Sequence, residues 1–245
     1  MAEIKGILFD KDGTLVDFHA TWSGVAELMA MEAADGDRNK ADRLLAAAGL
    51  DPHTHTFKAD SVFAAGTNLD IIELWFPELP RSAQFETVER FNRITTDRGA
   101  AMAVALPGVV VALGSLHAQA YRLGVATNDS TLGCEKTLAA LGIAQLFEAA
   151  YGYDAVANAK PAPDTVRAFC DLTGLKPSEI AMVGDNRHDL DMAHAGGCGL
   201  AIGVLSGTGT RDSLSSLADV VLESAADLPG YLASLRATPR KTAVF

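Results

Sequence analysis

Cysteine is scarce in this sequence. Three occur among 245 residues, at Cys134, Cys170 and Cys198, and their odd number and wide spacing argue against a disulfide framework. Because isolated thiols of this kind are typical of reducing compartments, we expect a cytoplasmic protein. The opening segment, MAEIKGILFD, has no signal-peptide pattern, which agrees with that expectation.

Long hydrophobic runs and positive charge are also in short supply. No apolar stretch approaches the roughly 20 residues that a membrane-spanning helix needs. Lys and Arg together number 20 against 31 Asp and Glu, which gives a net charge of −11. A chain this acidic is poorly suited to nucleic acid or to an anionic membrane surface. We therefore expect no nucleic-acid or membrane partner.

What the sequence does contain is a regular alternation of short apolar runs and helical patterns. The runs are rich in branched residues and too short for helices, so they predict buried strands at 5–9, 123–127, 180–184 and 199–204. The helical patterns lie at 108–120, 131–141, 162–173 and 189–195, and several open on capping residues, namely Ser130, Asp164 and Asp189. This alternation predicts an α/β fold, a doubly wound, mostly parallel, Rossmann-like sheet with helices on both faces.

One long region interrupts the alternation. From about Asp17 to Gly99 there is no strand pattern, only helix-compatible segments such as TWSGVAELMAMEA and KADRLLAAAGL. The region is too long for a loop. We predict that residues 17–103 form a helical cap domain inserted into an α/β core domain of residues 1–16 and 104–245. The segment ALPGV marks the re-entry of the chain into the core.

Polar residues follow several of the predicted strands at the point where each strand ends. Asp10 follows the first strand, Thr127 and Asn128 come at the end of the second, and Asp185 follows the strand at 180–184. Lys160 lies in the loop NAKPAPD. Because the carboxyl ends of parallel strands meet at one edge of a sheet, these residues are expected to converge on a ligand site.

The acidic residues of this set indicate a hard cation. Asp10 and Asp12 lie two residues apart, Asp185 and Asp189 follow later in the chain, and the set includes no Cys or His. Such an oxygen-only set suits Mg²⁺, which is typically bound by carboxylates together with substrate phosphate oxygens. Donors for a phosphate are available from Thr127, Lys160 and the backbone of the turn at 11–14, where Gly13 allows a close approach.

Four motifs occur in order along essentially the whole chain: DKDGTLVD at 10–17, ATND at 126–129, KPAPD at 160–164 and GDNRHDLDMAHAGG at 184–197. Through them the sequence resembles the haloacid dehalogenase-like hydrolase superfamily, in its phosphoglycolate phosphatase-like branch. The resemblance implies a Mg²⁺-dependent phosphomonoester hydrolase that acts on a small phosphorylated metabolite, with 2-phosphoglycolate as the leading candidate. It is compatible with a monomer or a homodimer.

The resemblance also implies a role for each motif residue. Asp10 would be the nucleophile that forms an aspartyl-phosphate, and Asp12 would protonate the leaving oxygen and then deprotonate water. Mg²⁺ would be held by Asp10, the backbone carbonyl of Asp12, Asp185 and, directly or through water, Asp189. The phosphoryl oxygens would be bound by Thr127, Asn128 and Lys160, with the Gly13 turn.

Asp12 separates this chain from relatives that cleave carbon–halogen bonds or pump ions, since these lack an acid/base aspartate two residues after the nucleophile. Two alternatives stay open. A phosphosugar mutase of the same superfamily would share every core residue. A non-catalytic regulator that binds Mg²⁺ or phosphate would also share the fold, although it has no need of Asp12.

Lys11 departs from the family pattern, because an apolar residue is commoner between the two aspartates. By strand-like alternation its side chain is expected to point away from theirs and to pair with a carboxylate of the cap or of a loop.

Other features have plainer interpretations. The HTH segment at 53–55 is expected to be a solvated loop, and SGTGT at 206–210 a turn near the rim of the site. His188 and His194 are expected to face solvent or to cap a helix. The aromatic residues of the inserted region favour a cap core over a substrate platform, and these are Trp22, Trp75, Phe57, Phe63 and Phe76. Candidates for hinge or substrate contacts are Asp17, Phe18 and Thr21.

Overall fold

Six parallel strands form one sheet in this computed structural model, which describes residues 3–237. In sheet order they are β3 (Ala149–Tyr151), β2 (Arg122–Ala126), β1 (Gly6–Phe9), β4 (Ile180–Gly184), β5 (Leu200–Val204) and β6 (Val220–Leu222). The chain enters at the centre of the sheet and adds strands outward on both sides. Every strand pair is parallel, so the predicted doubly wound α/β fold is confirmed.

Both faces of the sheet are buried because the side chains of its strands alternate. Ile7 and Phe9 point to one face and Leu8 to the other, and all three are fully buried. The first face is covered by α6 (Val109–Ala118), α7 (Thr131–Ala140) and α11 (Leu228–Ala237). The second is covered by α8 (Asp164–Thr173), α9 (Arg187–Gly196) and α10 (Arg211–Leu214).

Five helices lie between β1 and α6. They are α1 (Phe18–Ala33), α2 (Arg38–Ala47), α3 (Val62–Ala65), α4 (Asn68–Trp75) and α5 (Arg81–Met102). Their apolar side chains form a cluster of their own, with Met29, Ile72 and Phe91 completely buried in it. The chain leaves and re-enters the sheet layer side by side, since the N–H of Asp17 donates to the carbonyl of Val104 at 2.8 Å. The division into core and cap domains stays a prediction.

Two strands and two helix starts differ from the sequence-based expectations. β3 and β6 were not predicted, because each has three half-buried residues at an edge of the sheet, where the hydrophobic pattern is weak. Ser130 caps α7 as expected, but α9 begins at Arg187, ahead of Asp189. Asp164 is likewise the first residue of α8 and not its cap. Among residues 3–237, no helix has the length and apolar character for a membrane span.

Phe169 offers a test of this packing. Its ring lies so close to β2 that a Cβ added to Gly124 would be 2.8 Å from it, and the side chain is fully buried. We expect Phe169→Ala to lower the free energy of unfolding by about 3–5 kcal/mol, because truncation leaves a cavity. Phe85→Ala, at a ring that is 69% exposed, should change it by less than about 0.5 kcal/mol. Urea denaturation measures both, and equal losses would contradict this account of the core.

Candidate active site

The loop after β1 presents the first aspartate at the carboxyl edge of the sheet. The N–H of Asp10 continues the strand pattern by donating to the carbonyl of Val183 on β4, at 2.8 Å. The loop then turns at Gly13, which has a φ of +84°, and the Gly13 N–H donates to the Val16 carbonyl at 2.7 Å. A Cβ on Gly13 would lie 2.7 Å from the Asp185 carboxylate, so glycine allows both the turn and the close approach.

Three carboxylates meet below this loop. Asp10, Asp185 and Asp189 are buried, and one oxygen from each lies within 4.8 Å of the others. Burial, more than any neighbouring charge, raises the pKa of Asp10 well above its usual range. Burial and the Asp189 charge raise the pKa of Asp185 to about 7. These groups are therefore poised to share a cation.

Lys160 supplies part of that positive charge. Its side chain is only 6% exposed, and Nζ lies 2.6 Å from Asp10 Oδ1 and 2.7 Å from Asp189 Oδ1. Burial by itself would lower the pKa of this ammonium, but the two carboxylates outweigh burial and raise it, so Lys160 is charged. One lysine against three carboxylates leaves an excess of negative charge in a buried place.

The carboxylate cluster fits a hard divalent ion. All three ligand groups are oxygens, they converge from separate elements, and Asp185 is held by the N–H of Thr208 at 2.7 Å. The segment SGTGT, which contains Thr208, is thus a turn at the site, as predicted. Among residues 3–237, the cluster consists of Asp10, Asp185 and Asp189 and does not include the side chain of Asp12.

The residues that follow β2 line the same cavity. Thr127 Oγ1 accepts the N–H of Asp129 at 3.1 Å, which leaves its own hydroxyl proton available to a ligand. The amide of Asn128 donates to the carbonyl of Ala65 at 2.7 Å, in the helical region. Its Oδ1 is buried and has no partner among the described residues. Asn128 therefore connects the sheet edge to the helices, and its side-chain donors are already engaged.

Asp12 faces a different set of partners. Lys11 Nζ lies 2.8 Å from Asp12 Oδ2 and 2.9 Å from Asp129 Oδ2, and the Lys11 side chain is completely buried. The expectation that Lys11 points away from both aspartates was therefore wrong for Asp12, while the expected pairing with a loop carboxylate is confirmed by Asp129. Alternation failed because the chain leaves the extended conformation immediately after β1.

The helical region closes the cavity from the opposite side. Its contribution is mostly apolar or uncharged, and it consists of Phe18, Trp22, Phe63, Ala64, Ala65, Gly66, Asn68, Ile71 and Thr95. Trp22 belongs to the helical core, as predicted, yet its indole N–H also donates to Asp12 Oδ1 at 2.5 Å. An amphipathic aromatic near the start of α1, a few residues after the Asp10–Asp12 loop, is the signal that could have identified it.

His188 and Asn186 are further additions to the predicted site. His188 lines the cavity, with Nδ1 3.3 Å from the Ala65 carbonyl, and does not simply face solvent as expected. Asn186 has a buried Nδ2 without a partner among the described residues, so it is a donor available to a ligand. His194 is exposed, and the HTH segment is a solvated loop, both as expected.

The haloacid dehalogenase-like hydrolase family model matches residues 4–197, a range that contains the whole carboxylate cluster. The chain belongs to the haloacid dehalogenase-like hydrolases. Relatives of known name include the phosphoglycolate phosphatases of Escherichia coli K12, 29% identical over 92% of this chain and 91% of theirs, and of Salmonella typhimurium, 28% identical over 93% and 92%. The family and these relatives make the chain a phosphatase, as the sequence motifs implied.

Solved structures of this family share the fold. A predicted phosphoglycolate phosphatase from Haemophilus somnus is 24% identical and superposes with a TM-score of 0.71, covering 94% of this chain and 99% of that one. CbbY from Rhodobacter sphaeroides, solved in complex with phosphate, is 23% identical with a TM-score of 0.64, covering 92% and 96%. At these identities the likeness supports the haloacid dehalogenase-like architecture and nothing finer.

The raised pKa of Asp185 predicts how the metal-free protein responds to pH. The folded protein keeps this proton up to about pH 7, whereas an aspartate of ordinary pKa loses it near pH 3.8. Stability should therefore fall as pH rises through that window. In EDTA at pH 8 we expect Asp185→Asn to stabilise the fold by about 1–3 kcal/mol, and at pH 4 to have little effect.

Thermal or urea unfolding at the two pH values measures this difference. Asp212→Asn, on the exposed first turn of α10, is the matched control and should leave stability nearly unchanged at both. A loss of stability in Asp185→Asn at pH 8 would show that the carboxylate is not under repulsion.

Proposed function

We propose that this phosphatase hydrolyses phosphomonoesters of small metabolites with Mg²⁺, through an aspartyl-phosphate formed on Asp10. The observation that carries the proposal is the buried cluster of three carboxylates, with Lys160 2.6 Å from Asp10. A nucleophilic carboxylate attacks a dianionic phosphate only where positive charge offsets the repulsion. Lys160 offers one such charge directly beside the nucleophile.

The reaction runs in two displacements at phosphorus. An oxygen of Asp10 attacks the phosphorus atom, and the bond between phosphorus and the ester oxygen breaks as Asp12 transfers a proton to that oxygen. Asp12 then takes a proton from a water molecule, which attacks the same phosphorus and releases Asp10 as a free carboxylate. Asp12 ends the cycle protonated, as it began.

Several donors are available to hold the phosphoryl oxygens in both displacements. The Thr127 hydroxyl and the Lys160 ammonium belong to the predicted set, and the unpartnered Asn186 amide adds a third. Backbone N–H groups around Gly13 are close to the same place. Asp10, Asp185, Asp189 and the Asp12 carbonyl would hold Mg²⁺, which would supply the further positive charge that an anionic reaction centre requires.

We assign the helical region, residues 17–103, the role of a cap over the core of residues 1–16 and 104–245. Its residues form one wall of a partly open cavity of about 70 Å³ beside the carboxylates. A cavity of this size favours a small phosphate ester, and closure of the helical region over it would exclude bulk water from the aspartyl-phosphate. A macromolecular phosphate would not fit under these helices.

The leading candidate substrate is 2-phosphoglycolate, because the named relatives are phosphoglycolate phosphatases along nearly their whole length. A phosphorylated sugar or polyol is the second candidate. It is favoured by the wall of the helical region, in which Asn68 and Thr95 are the polar side chains and none is cationic. The phosphosugar mutase and the non-catalytic regulator that the sequence left open both predict negligible ester hydrolysis, against the phosphatase relatives.

Phosphate release from a panel of phosphorylated metabolites, with and without Mg²⁺, tests the proposed reaction. We expect a Mg²⁺-dependent rate that Asp10→Asn lowers by at least about 10³-fold, because the amide cannot form the acyl phosphate. Asp212→Asn should keep the rate of the unmodified protein. Binding of Mg²⁺ and phosphate without turnover of any ester would instead support the mutase or the regulator.

The variant Asn68→Asp distinguishes between the two candidate substrates. A carboxylate at this wall should lower kcat/KM for 2-phosphoglycolate at least about 10-fold by like-charge repulsion, and should change that for glycerol 2-phosphate less than about 3-fold. Because the same variant is measured with both esters, a loss of folded or active enzyme lowers both kcat/KM values equally and cancels in their ratio. Equal losses would mean that Asn68 does not face the leaving group.

A further inference from the structure

The acid/base aspartate is held by two side chains that no step of the proposed reaction has used. Lys11 Nζ lies 2.8 Å from Asp12 Oδ2 and 3.1 Å from Oδ1. The indole Nε1 of Trp22 donates to Asp12 Oδ1 at 2.5 Å. Lys11 is fully buried and Trp22 is 6% exposed, so water offers neither donor a comparable partner.

These contacts distinguish the two oxygens of Asp12. Oδ1 accepts hydrogen bonds from both Lys11 and Trp22, which occupies its two lone pairs, whereas Oδ2 has only the ion-pair contact with Lys11 at 2.8 Å. A proton on this carboxyl group therefore belongs on Oδ2. The plane of the carboxyl is fixed as well, because its donors come from two different directions.

The two donors form one unit with fixed supports. Lys11 Nζ lies 4.9 Å from the centroid of the Trp22 ring and 2.9 Å from Asp129 Oδ2. Lys11 belongs to the loop after β1, Asp129 to the loop after β2, and Trp22 to the helical region. An ammonium this deeply buried is stable only because both carboxylates pair with it, so its position is tightly defined.

We propose that Lys11 and Trp22 are positioning residues that orient Asp12 so that Oδ2 carries the proton exchanged with the leaving group and with water. The inference rests on the proposed function, in which Asp12 is the acid and base. As the ester bond breaks, Oδ2 gives its proton to the leaving oxygen, and the resulting carboxylate keeps its hydrogen bonds to both donors. Oδ2 is then the oxygen that accepts the proton of the attacking water.

Leaving groups of different basicity test this role. The alkoxide released from glycerol 2-phosphate needs a proton as it departs, whereas p-nitrophenolate is stable without one. For both esters kcat/KM reports the transfer of the phosphoryl group to Asp10. We expect Trp22→Phe and Lys11→Met each to lower kcat/KM for glycerol 2-phosphate by about 10–100-fold, and for p-nitrophenyl phosphate by less than about 3-fold.

Trp75→Phe is the matched control. Trp75 is equally buried in the helical region, and its indole N–H donates to the carbonyl of Leu44 at 2.9 Å, away from the site. It should leave the ratio of the two kcat/KM values unchanged. Lys11 is not among the described residues that line the cavity, so agreement between Lys11→Met and Trp22→Phe cannot come from altered substrate contacts.

Asp12→Asn separates failure of this inference from failure of the proposed function. If Asp12→Asn does not depress the alkyl ester selectively, Asp12 is not the acid and the proposed function is overturned. If Asp12→Asn does depress the alkyl ester selectively, while Trp22→Phe and Lys11→Met lower kcat/KM equally for both esters, then Lys11 and Trp22 have only a structural role. In an Asp12→Asn background neither variant should change the ratio further, since both act through Asp12.

Discussion

The repulsion among Asp10, Asp185 and Asp189 is the constraint on which the rest of the site depends. Three carboxylates buried within 4.8 Å of one another are costly unless cations accompany them, and Lys160 supplies one such charge. Parallel strands make the arrangement possible, because β1 and β4 end side by side and deliver Asp10 and Asp185 to one edge. The fold provides the rigidity that holds like charges together, and the proposed chemistry uses the resulting affinity for positive charge.

A second electrostatic unit, formed by Asp12, Lys11 and Asp129, lies beside the first. Asp12 turns away from the carboxylate cluster and toward Lys11 and Trp22, so neighbouring aspartates in the sequence have separate surroundings. This separation gives two carboxylates of one short loop two different tasks. Asp10 lies against Lys160 and is suited to attack phosphorus, whereas Asp12 is hydrogen-bonded in a fixed plane and suited to move protons. Through its hydrogen bond to Asp12, Trp22 connects the proposed acid/base residue to the helical region.

The central strands, the flanking helices and the long helical insertion were predictable because their hydrophobic patterns are strong and local. The edge strands β3 and β6 were missed because three half-buried residues are too few to show a clear hydrophobic pattern. Helix α9 starts earlier than its apolar residues suggest because Asn186 caps it. His188 was expected to face solvent or to cap a helix, yet its ring lines the cavity with Nδ1 3.3 Å from the Ala65 carbonyl. The missed cap of α9 was a local signal, whereas the error at His188 concerns a side chain whose partner, Ala65, is 123 residues away along the chain.

By itself, the sequence determined the family, the parallel α/β fold and the set of carboxylates at the strand ends. It could do so because strand alternation and motif order are local properties, and because parallel strands share one carboxyl edge. Only the tertiary structure decided which groups pair. Lys11 forms ion pairs with Asp12 and Asp129. The Asn128 amide donates to the Ala65 carbonyl, and the Trp22 indole, in the helical region, donates to Asp12. These partners are up to 118 residues apart along the chain. A buried polar group needs a hydrogen-bond or ion-pair partner, and which partner is near enough depends on the tertiary packing.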